Sequence, residues 1–411
     1  MPDTMSRILV FADWYLPGCK GGGSVSAISN LIELLGDEFH FYVFTRNRDN
    51  TEDQPYADVG FDQWVTVGKA KIFYASELSI RTIRQRIREV EPHIIYLNSF
   101  FSRLTMKTLL LRKCGLLPSS AVVLAPRGEL SPGALELKSF RKWLYRKLAF
   151  PLGLYRNLVW QASSAHERET IQSSSIPGSS GGQDTILIAP DVPNSDVLSR
   201  AYSPQRPKKE SGSARFVFLS RISRIKNLEF ALELLGSAQG DIELDIYGPI
   251  GDPAYWEQCQ ERIRRLPDGV RVHYKGAVSP DQVIQIFSKY HFQILPTLGE
   301  NFGYVILEAF AGGCPVLISD QTPWRDLSKV GAGWDLALND RERWLEAIQS
   351  CVEMDQARYE LFSQRARSYF EEWMSATPYR LRAVELFQKA LEGLSSPRVP
   401  PALERSIGAG Q

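Results

Sequence analysis

Two carboxylates, Glu300 and Glu308, stand eight positions apart in the stretch Pro296-Thr297-Leu298-Gly299-Glu300-Asn301-Phe302-Gly303-Tyr304-Val305-Ile306-Leu307-Glu308-Ala309. The run ahead of it, Tyr290 to Leu295, is short, apolar and closed by proline, the form of a buried parallel strand. The run that follows, Val305 to Ala311, is helical, and Gly312-Gly313 stops it. The pattern therefore predicts Glu300 in a loop at the carboxyl end of a strand, beside unpaired helix amides, with Glu308 about two turns into the helix. At about 1.5 Å per residue the two are at most about 12 Å apart and on the same broad side. Helix amides favour an anion, and carboxylates accept hydrogen bonds from hydroxyls. A ligand with negative charge in its middle and hydroxyls at both ends suits this layout, as in the sugar, diphosphate and ribose of a nucleotide sugar. Two solvated glutamates on an exposed helix are the plainer reading.

Upstream, Ala214 to Leu219 reads as a strand, Ser220-Arg221-Ile222-Ser223-Arg224-Ile225-Lys226-Asn227 follows, and a helical pattern begins at Leu228. Two cations five positions apart at a strand end are costly to hold together unless an anion lies between them. Arg221 offers a planar fork and Lys226 a compact charge, so together they can stabilise a departing nucleoside diphosphate without a metal. The alternative is a solvated basic helix start, which is the simpler reading for Arg224. The chain shows no convincing D-x-D loop, and its histidines, His40, His93, His166, His273 and His291, are scattered, with none paired at ligand spacing. No metal or other cofactor is expected.

E-N-F-G-x-x-x-x-E-A followed by G-G-C-P-V-L-I-S-D resembles the donor-site signature of retaining glycosyltransferases of family 4, whose GT-B fold sets two Rossmann-like α/β domains face to face. The resemblance implies that Glu308 binds the ribose and that Glu300, with Asn301, Phe302, Gly303 and Tyr304, meets the donor sugar. It also implies that Arg221 and Lys226 hold the diphosphate of a UDP- or GDP-linked sugar. Pro126-Arg127-Gly128 with a following lysine-rich helix, Lys20-Gly21-Gly22-Gly23 in the first loop, and Thr322-Pro323-Trp324 with Gly331-Ala332-Gly333-Trp334 are similar to a bacterial subgroup that builds surface polysaccharides.

In the first half, Ser6 to Ala12 reads as a strand. A long loop then leads to a helix near Ser24 that buries Val25, Ile28, Leu31, Ile32 and Leu35. Successive glycines before a helix let the backbone approach a ligand closely, although a plain flexible loop fits as well. The resemblance implies that Gly22 and Gly23 face donor phosphates or acceptor. Phe39 to Thr45, His93 to Leu97 and Ala121 to Ala125 are further strand candidates. Better-known family members carry a histidine just after the last of these, where Arg127 stands. Arg127 is a candidate for holding acceptor or phosphate, or else a surface arginine. The segment 136–160 interleaves Lys138, Arg141, Lys142, Arg146, Lys147 and Arg156 with Phe140, Trp143, Leu144, Tyr145, Leu148 and Phe150. It suits either an anionic membrane surface or ordinary packing on the first domain.

A length of 411 residues allows two domains, and a net charge of +1 gives no support to a nucleic-acid role. No apolar run approaches the roughly 18 residues that span a membrane, the amino terminus lacks a leader pattern, and five widely spaced cysteines suit a reducing cytoplasm. The organisation expected is an acceptor-side domain over 1–200, a nucleotide-sugar domain over 201–372, a helix over 373–394 returning to the first domain, and a disordered tail over 395–411. The linker falls between Pro193 and Gly212, and no internal repeat is evident. The function expected is metal-independent retaining transfer of a hexose from a nucleotide sugar to a glycan or lipid-linked acceptor, at or near the inner face of the cell membrane. A nucleotide-sugar epimerase of the same architecture is one alternative. An inactive nucleotide-binding subunit, with Arg127 and Gln161 as marks of decay, is the other.

Overall fold

The computed structural model describes residues 5–18, 21–50, 52–136, 139–149, 151–174, 185–194 and 206–395. Strands and helices alternate to build two sheets, and the class is α/β. The first sheet holds β1 (Ser6–Phe11), β2 (Phe39–Arg46), β3 (Trp64–Val67), β4 (Ala70–Ala75), β5 (Ile94–Asn98), β6 (Ala121–Ala125), β7 (Val159–Ala162) and β8 (Thr185–Ile188), ordered β3-β4-β2-β1-β5-β6-β7-β8. Its neighbours run parallel except in the β3–β4 hairpin, which turns at Gly68 with φ 56°. The second holds β9 (Ser213–Leu219), β10 (Asp241–Tyr247), β11 (Val270–Gly276), β12 (Phe292–Leu295), β13 (Val316–Ser319) and β14 (Gly333–Leu336) in the all-parallel order β11-β10-β9-β12-β13-β14. These are the two Rossmann-like units of a GT-B fold. In each, the strand order reverses beside the first strand, between β1 and β5 and between β9 and β12, opening a crevice at the carboxyl ends.

Continuous apolar strands form because helices cover both faces: β5, β12 and β13 are buried throughout. The helix Gly23–Leu35 buries Val25, Ala27, Ile28, Leu31, Ile32 and Leu35, the helical spacing visible in the sequence. The apolar pattern alone does not disclose β3, β4 and β7. The first two flank a tight turn, and β7 is four residues long with a glutamine in it.

The two halves also share a residue-level device. Arg7 N–H on β1 donates to His93 Nδ1 at 2.9 Å while His93 N–H returns to Arg7 O at 2.9 Å. Arg215 on β9 and His291 do the same, at 3.0 and 2.9 Å. In both sheets the histidine just before the strand that pairs with the first strand across the order reversal, β5 or β12, satisfies a backbone donor at the start of that first strand. Burial holds the His291 imidazole down to about 4, so it stays neutral and can accept.

The helix Gln356–Ala376 packs on the second core through Tyr359, Ala366 and Phe370. The chain then turns at Thr377, and the helix Tyr379–Ser395 lays Ala383, Leu386, Phe387 and Ala390 on the first sheet. Phe387 meets Phe39, Tyr96 and Phe41 with ring centroids 5.5, 5.6 and 6.2 Å apart. Of the expected linker and tail, 195–205 and 396–411 lie outside the described residues. Among the described residues no helix is long and apolar enough to cross a membrane.

Candidate active site

The loops after β9 and β12 meet at the second crevice. Leu298 N–H and the Thr297 hydroxyl both donate to Ile225 O, at 2.7 and 2.9 Å, and so staple the turn after β12 to the turn Arg224–Lys226. That staple brings Lys226 Nζ onto a Glu300 carboxylate oxygen, in an ion pair whose side chains are only 15% and 12% exposed. Arg221 leaves β9 beside Gly251, where an added Cβ would stand 2.7 Å from the arginine Cγ and Cδ; the glycine gives the arginine stem its path. Burial lowers the pKa of Arg221 and the field of Glu300 opposes it, as expected of a guanidinium held in a cleft. Arg224 turns away, 3.7 Å from Asp252, 3.0 Å from Gln258 and over the Tyr255 ring.

Gly303, at φ 80°, starts the helix Tyr304–Ala311 without any side-chain cap. Glu308 is therefore a little over one turn into that helix, not two. Its side chain is half-buried, and burial raises its carboxyl to about 7. It makes no hydrogen bond among the described residues, so its oxygens are available to hydroxyl donors.

The first domain closes against this loop. Ser163 Oγ donates to Asn301 Oδ1 at 3.0 Å, and Tyr304 OH donates to Val192 O at 3.0 Å. Gly23 and Gly128 come so near that added Cβ atoms would stand 3.4 Å from the Tyr304 ring and 3.0 Å from Asn301 Cβ. Gly22, at φ 69°, caps the helix Gly23–Leu35, and a Cβ there would meet nothing within 4 Å. The structure thus gathers Gly22, Gly23, Arg221, Lys226, Glu300, Asn301, Phe302, Gly303, Tyr304 and Glu308 about one crevice. Sequence reasoning missed Ser163, Val192 and Glu167. Glu167 accepts from Gly128 N–H and Ser163 N–H, both at 2.7 Å, and so fixes two points of the first wall. The only available signal was its place in the first turn of a helix capped by Ser164.

Arg127 is a correction. Its guanidinium is buried, paired with Asp191 and bonded to Asn98 Oδ1 at 3.1 and 2.7 Å and to Tyr96 OH at 2.8 Å. Four of its five N–H donors are thereby engaged. Burial opposes the charge, but Asp191 and its neighbours overcome that and leave the pKa raised. Tyr96 donates onward to Gln161, whose amide donates to Ala189 O at 2.9 Å. Arg127 and Gln161 are struts joining β5, β6 and β7 to the segment after β8, rather than ligand-facing groups or marks of decay.

Glu243, Asp245 and His273 bring ligand atoms within 4.8 Å of one another across β10 and β11, because register sets Asp245 beside His273. Lys275, 3.3 Å from Asp245, already supplies a cation there. In the basic segment, Lys142 turns inward to Ala134 O and the Phe101 ring, and Tyr145 bonds Tyr155. Trp143, Leu144 and Leu152 are 51%, 43% and 52% exposed. Lys138 and the side chains of Phe140, Arg141, Arg146 and Leu148 lie outside the described residues, as does Phe150.

Residues 200–369 match the family Glycosyl transferases group 1, a stretch that includes Arg221, Lys226, Glu300 and Glu308. The chain carries a group 1 glycosyl transferase domain. A curated relative, the sulfoquinovosyl transferase SQD2 of Arabidopsis thaliana, is 24% identical over 222 residues, 49% of this chain and 42% of that protein. The match thus spans less than half of that relative's length. Among solved structures, Anabaena HepE in complex with UDP and glucose superposes with a TM-score of 0.62 at 14% identity, covering 95% of this chain and 99% of that one. The lipopolysaccharide outer core galactosyltransferase WaaB does so at 0.61 and 18%, over 94% and 99%. These likenesses establish the GT-B architecture around the group 1 domain.

Proposed function

We propose that the protein is a retaining glycosyltransferase that moves a sugar from a UDP- or GDP-linked donor to a glycan or lipid-linked acceptor in cell-surface polysaccharide synthesis. The observation that carries this reading is the meeting of Arg221, Lys226 and Glu300 with the open amino end of the helix Tyr304–Ala311 at the β9/β12 crevice. Lys226 and Arg221 take the diphosphate, doing the charge stabilisation that a divalent ion supplies in other enzymes. The Glu308 carboxylate takes the ribose diol, Glu300 with the Asn301 to Tyr304 loop meets the sugar, and the amides at the start of the helix after Glu300 also reach the leaving diphosphate. Donor arrival exchanges the Lys226–Glu300 pair for phosphate on one side and sugar hydroxyls on the other. The first-domain wall at Gly22, Gly23 and Ser163 presents the acceptor to the face that the diphosphate leaves, which retains configuration without a protein nucleophile. Relatives in fold bind UDP in HepE and serve lipopolysaccharide in WaaB, which supports the donor class and the pathway. Exposed Trp143, Leu144 and Leu152 on and beside the basic helix support work at an anionic membrane surface.

Nucleoside diphosphate release from UDP- and GDP-sugars tests the reading. Lys226→Ala should lower kcat about 100-fold or more, while Glu308→Ala should chiefly raise donor KM about tenfold. Unchanged donor kinetics in both variants, or isomerised donor with no transfer, contradicts it.

A further inference from the structure

The end of β13 and the segment after it grip the donor loop at three points. Ser319 Oγ donates to Thr297 O at 2.5 Å, Glu300 N–H donates to Gln321 O at 2.9 Å, and the Trp324 indole N–H donates to Phe302 O at 2.7 Å. Trp324 is 3% exposed, its own amide donates to Thr322 Oγ1 at 3.2 Å, and its rings lie among Phe302, Phe310, Tyr369 and Trp373 at centroid distances of 5.5 to 6.2 Å. In a trans peptide the carbonyl and the amide hydrogen point in opposite directions. With the Phe302 carbonyl drawn onto a buried indole, the N–H of the same unit, that of Gly303, points away from the aromatic cluster, and it makes no hydrogen bond among the described residues. A Cβ on Gly303 would stand 3.2 Å from the indole nitrogen and 3.0 Å from Ile306 Cδ1, so the backbone is seated closely on both.

We propose that Trp324 is a positioning residue: its N–H turns the Phe302-Gly303 peptide so that the Gly303 amide is aimed at the anionic group of the donor. The inference rests on the glycosyltransferase reading for the identity of that anion, and extends it to a residue that touches no substrate. The Thr322-Pro323-Trp324 motif thereby acquires a task. The alternative, that Trp324 only fills the core, predicts that losing the N–H while keeping a ring changes stability alone.

Trp324→Phe keeps an aromatic ring and removes the donor. Trp373→Phe is the control, since Trp373 sits in the same cluster, 5.6 Å from Phe302, with no bond to the loop. Calorimetry with inorganic pyrophosphate should show binding about tenfold weaker in Trp324→Phe and within about twofold of wild type in Trp373→Phe. With whichever nucleotide sugar the wild type turns over, Trp324→Phe should lower kcat about 10- to 100-fold with donor KM within about threefold. Equal pyrophosphate affinity in all three proteins, or equal losses in both variants, overturns the proposal. Wild-type turnover with unchanged pyrophosphate binding in Trp324→Phe would remove the positioning role and leave the glycosyltransferase reading standing. Weakened binding in a protein that turns over no nucleotide sugar would do the reverse.

Discussion

Glu308 carries a proton at a pH where an ordinary carboxylate does not, because burial raises it from 4.5 to about 7. In the proposed function its ionised form accepts both ribose hydroxyls, so the donor Kd should rise about tenfold between pH 8 and pH 6 as the ionised fraction falls. Titration calorimetry checks this, and Glu308→Gln should flatten the profile. The sign for stability is opposite to that of a salt-bridged carboxylate. The folded state takes up the proton first, so this group works against folding as pH rises from the unfolded value through 7. Arg127 behaves differently, since its partner Asp191 is buried with it. Arg127→Leu should cost about 3–5 kcal/mol in denaturant melts by leaving Asp191 uncompensated. A variant with wild-type stability and collapsed kcat would return Arg127 to the catalytic set. The sequence disclosed the charge and spacing of Arg221, Lys226, Glu300 and Glu308, because strand ends and helix starts fix such groups locally. It did not disclose that Arg127 points inward, since its partners Asn98 and Asp191 come from β5 and from the segment after β8 and no local pattern pairs them.

At the scale of elements, the apolar runs of β1, β6, β9 and β12 and the stripe of the helix Gly23–Leu35 were legible because burial on both faces leaves a continuous signal. The hairpin β3–β4 and the short β7 were not, and neither was the pairing of Asp245 with His273, which depends on register between neighbouring strands. In the basic helix Ser139–Ala149, Lys142 reaches over the Phe101 ring, while Lys147 lies over the exposed Trp143 ring. If this face meets anionic lipid, the purified protein should co-sediment with phosphatidylglycerol vesicles at low salt, and Trp143→Ala should weaken that binding. Each basic residue near such a surface contributes about 1 kcal/mol and is screened by salt. No sedimentation at low salt would remove the membrane proposal.

Across the whole molecule, the chain passes from the first sheet to the second after β8 and returns through Thr377 to the helix Tyr379–Ser395. The two Rossmann-like units are thereby tied at both ends, and the crevices at β1/β5 and β9/β12 face each other. Ser163 with Asn301 and Tyr304 with Val192 are the contacts that close the walls, and they place the donor loop against the first domain. Such closure would exclude water from the diphosphate sugar of the proposed reaction. The central claim is that this crevice binds a nucleotide diphosphate sugar through Lys226 and Glu308, and a thermal-shift titration with UDP- and GDP-sugars tests it most directly. At about 100 times its Kd the true donor should stabilise the wild-type protein by about 2.7 kcal/mol; Glu308→Ala, with Kd raised about tenfold, should cut that to about 1.4 kcal/mol at the same donor concentration, and Lys226→Ala, which acts chiefly on kcat, should diminish it less. No shift with any nucleotide sugar, or an undiminished shift in both variants, would contradict the account.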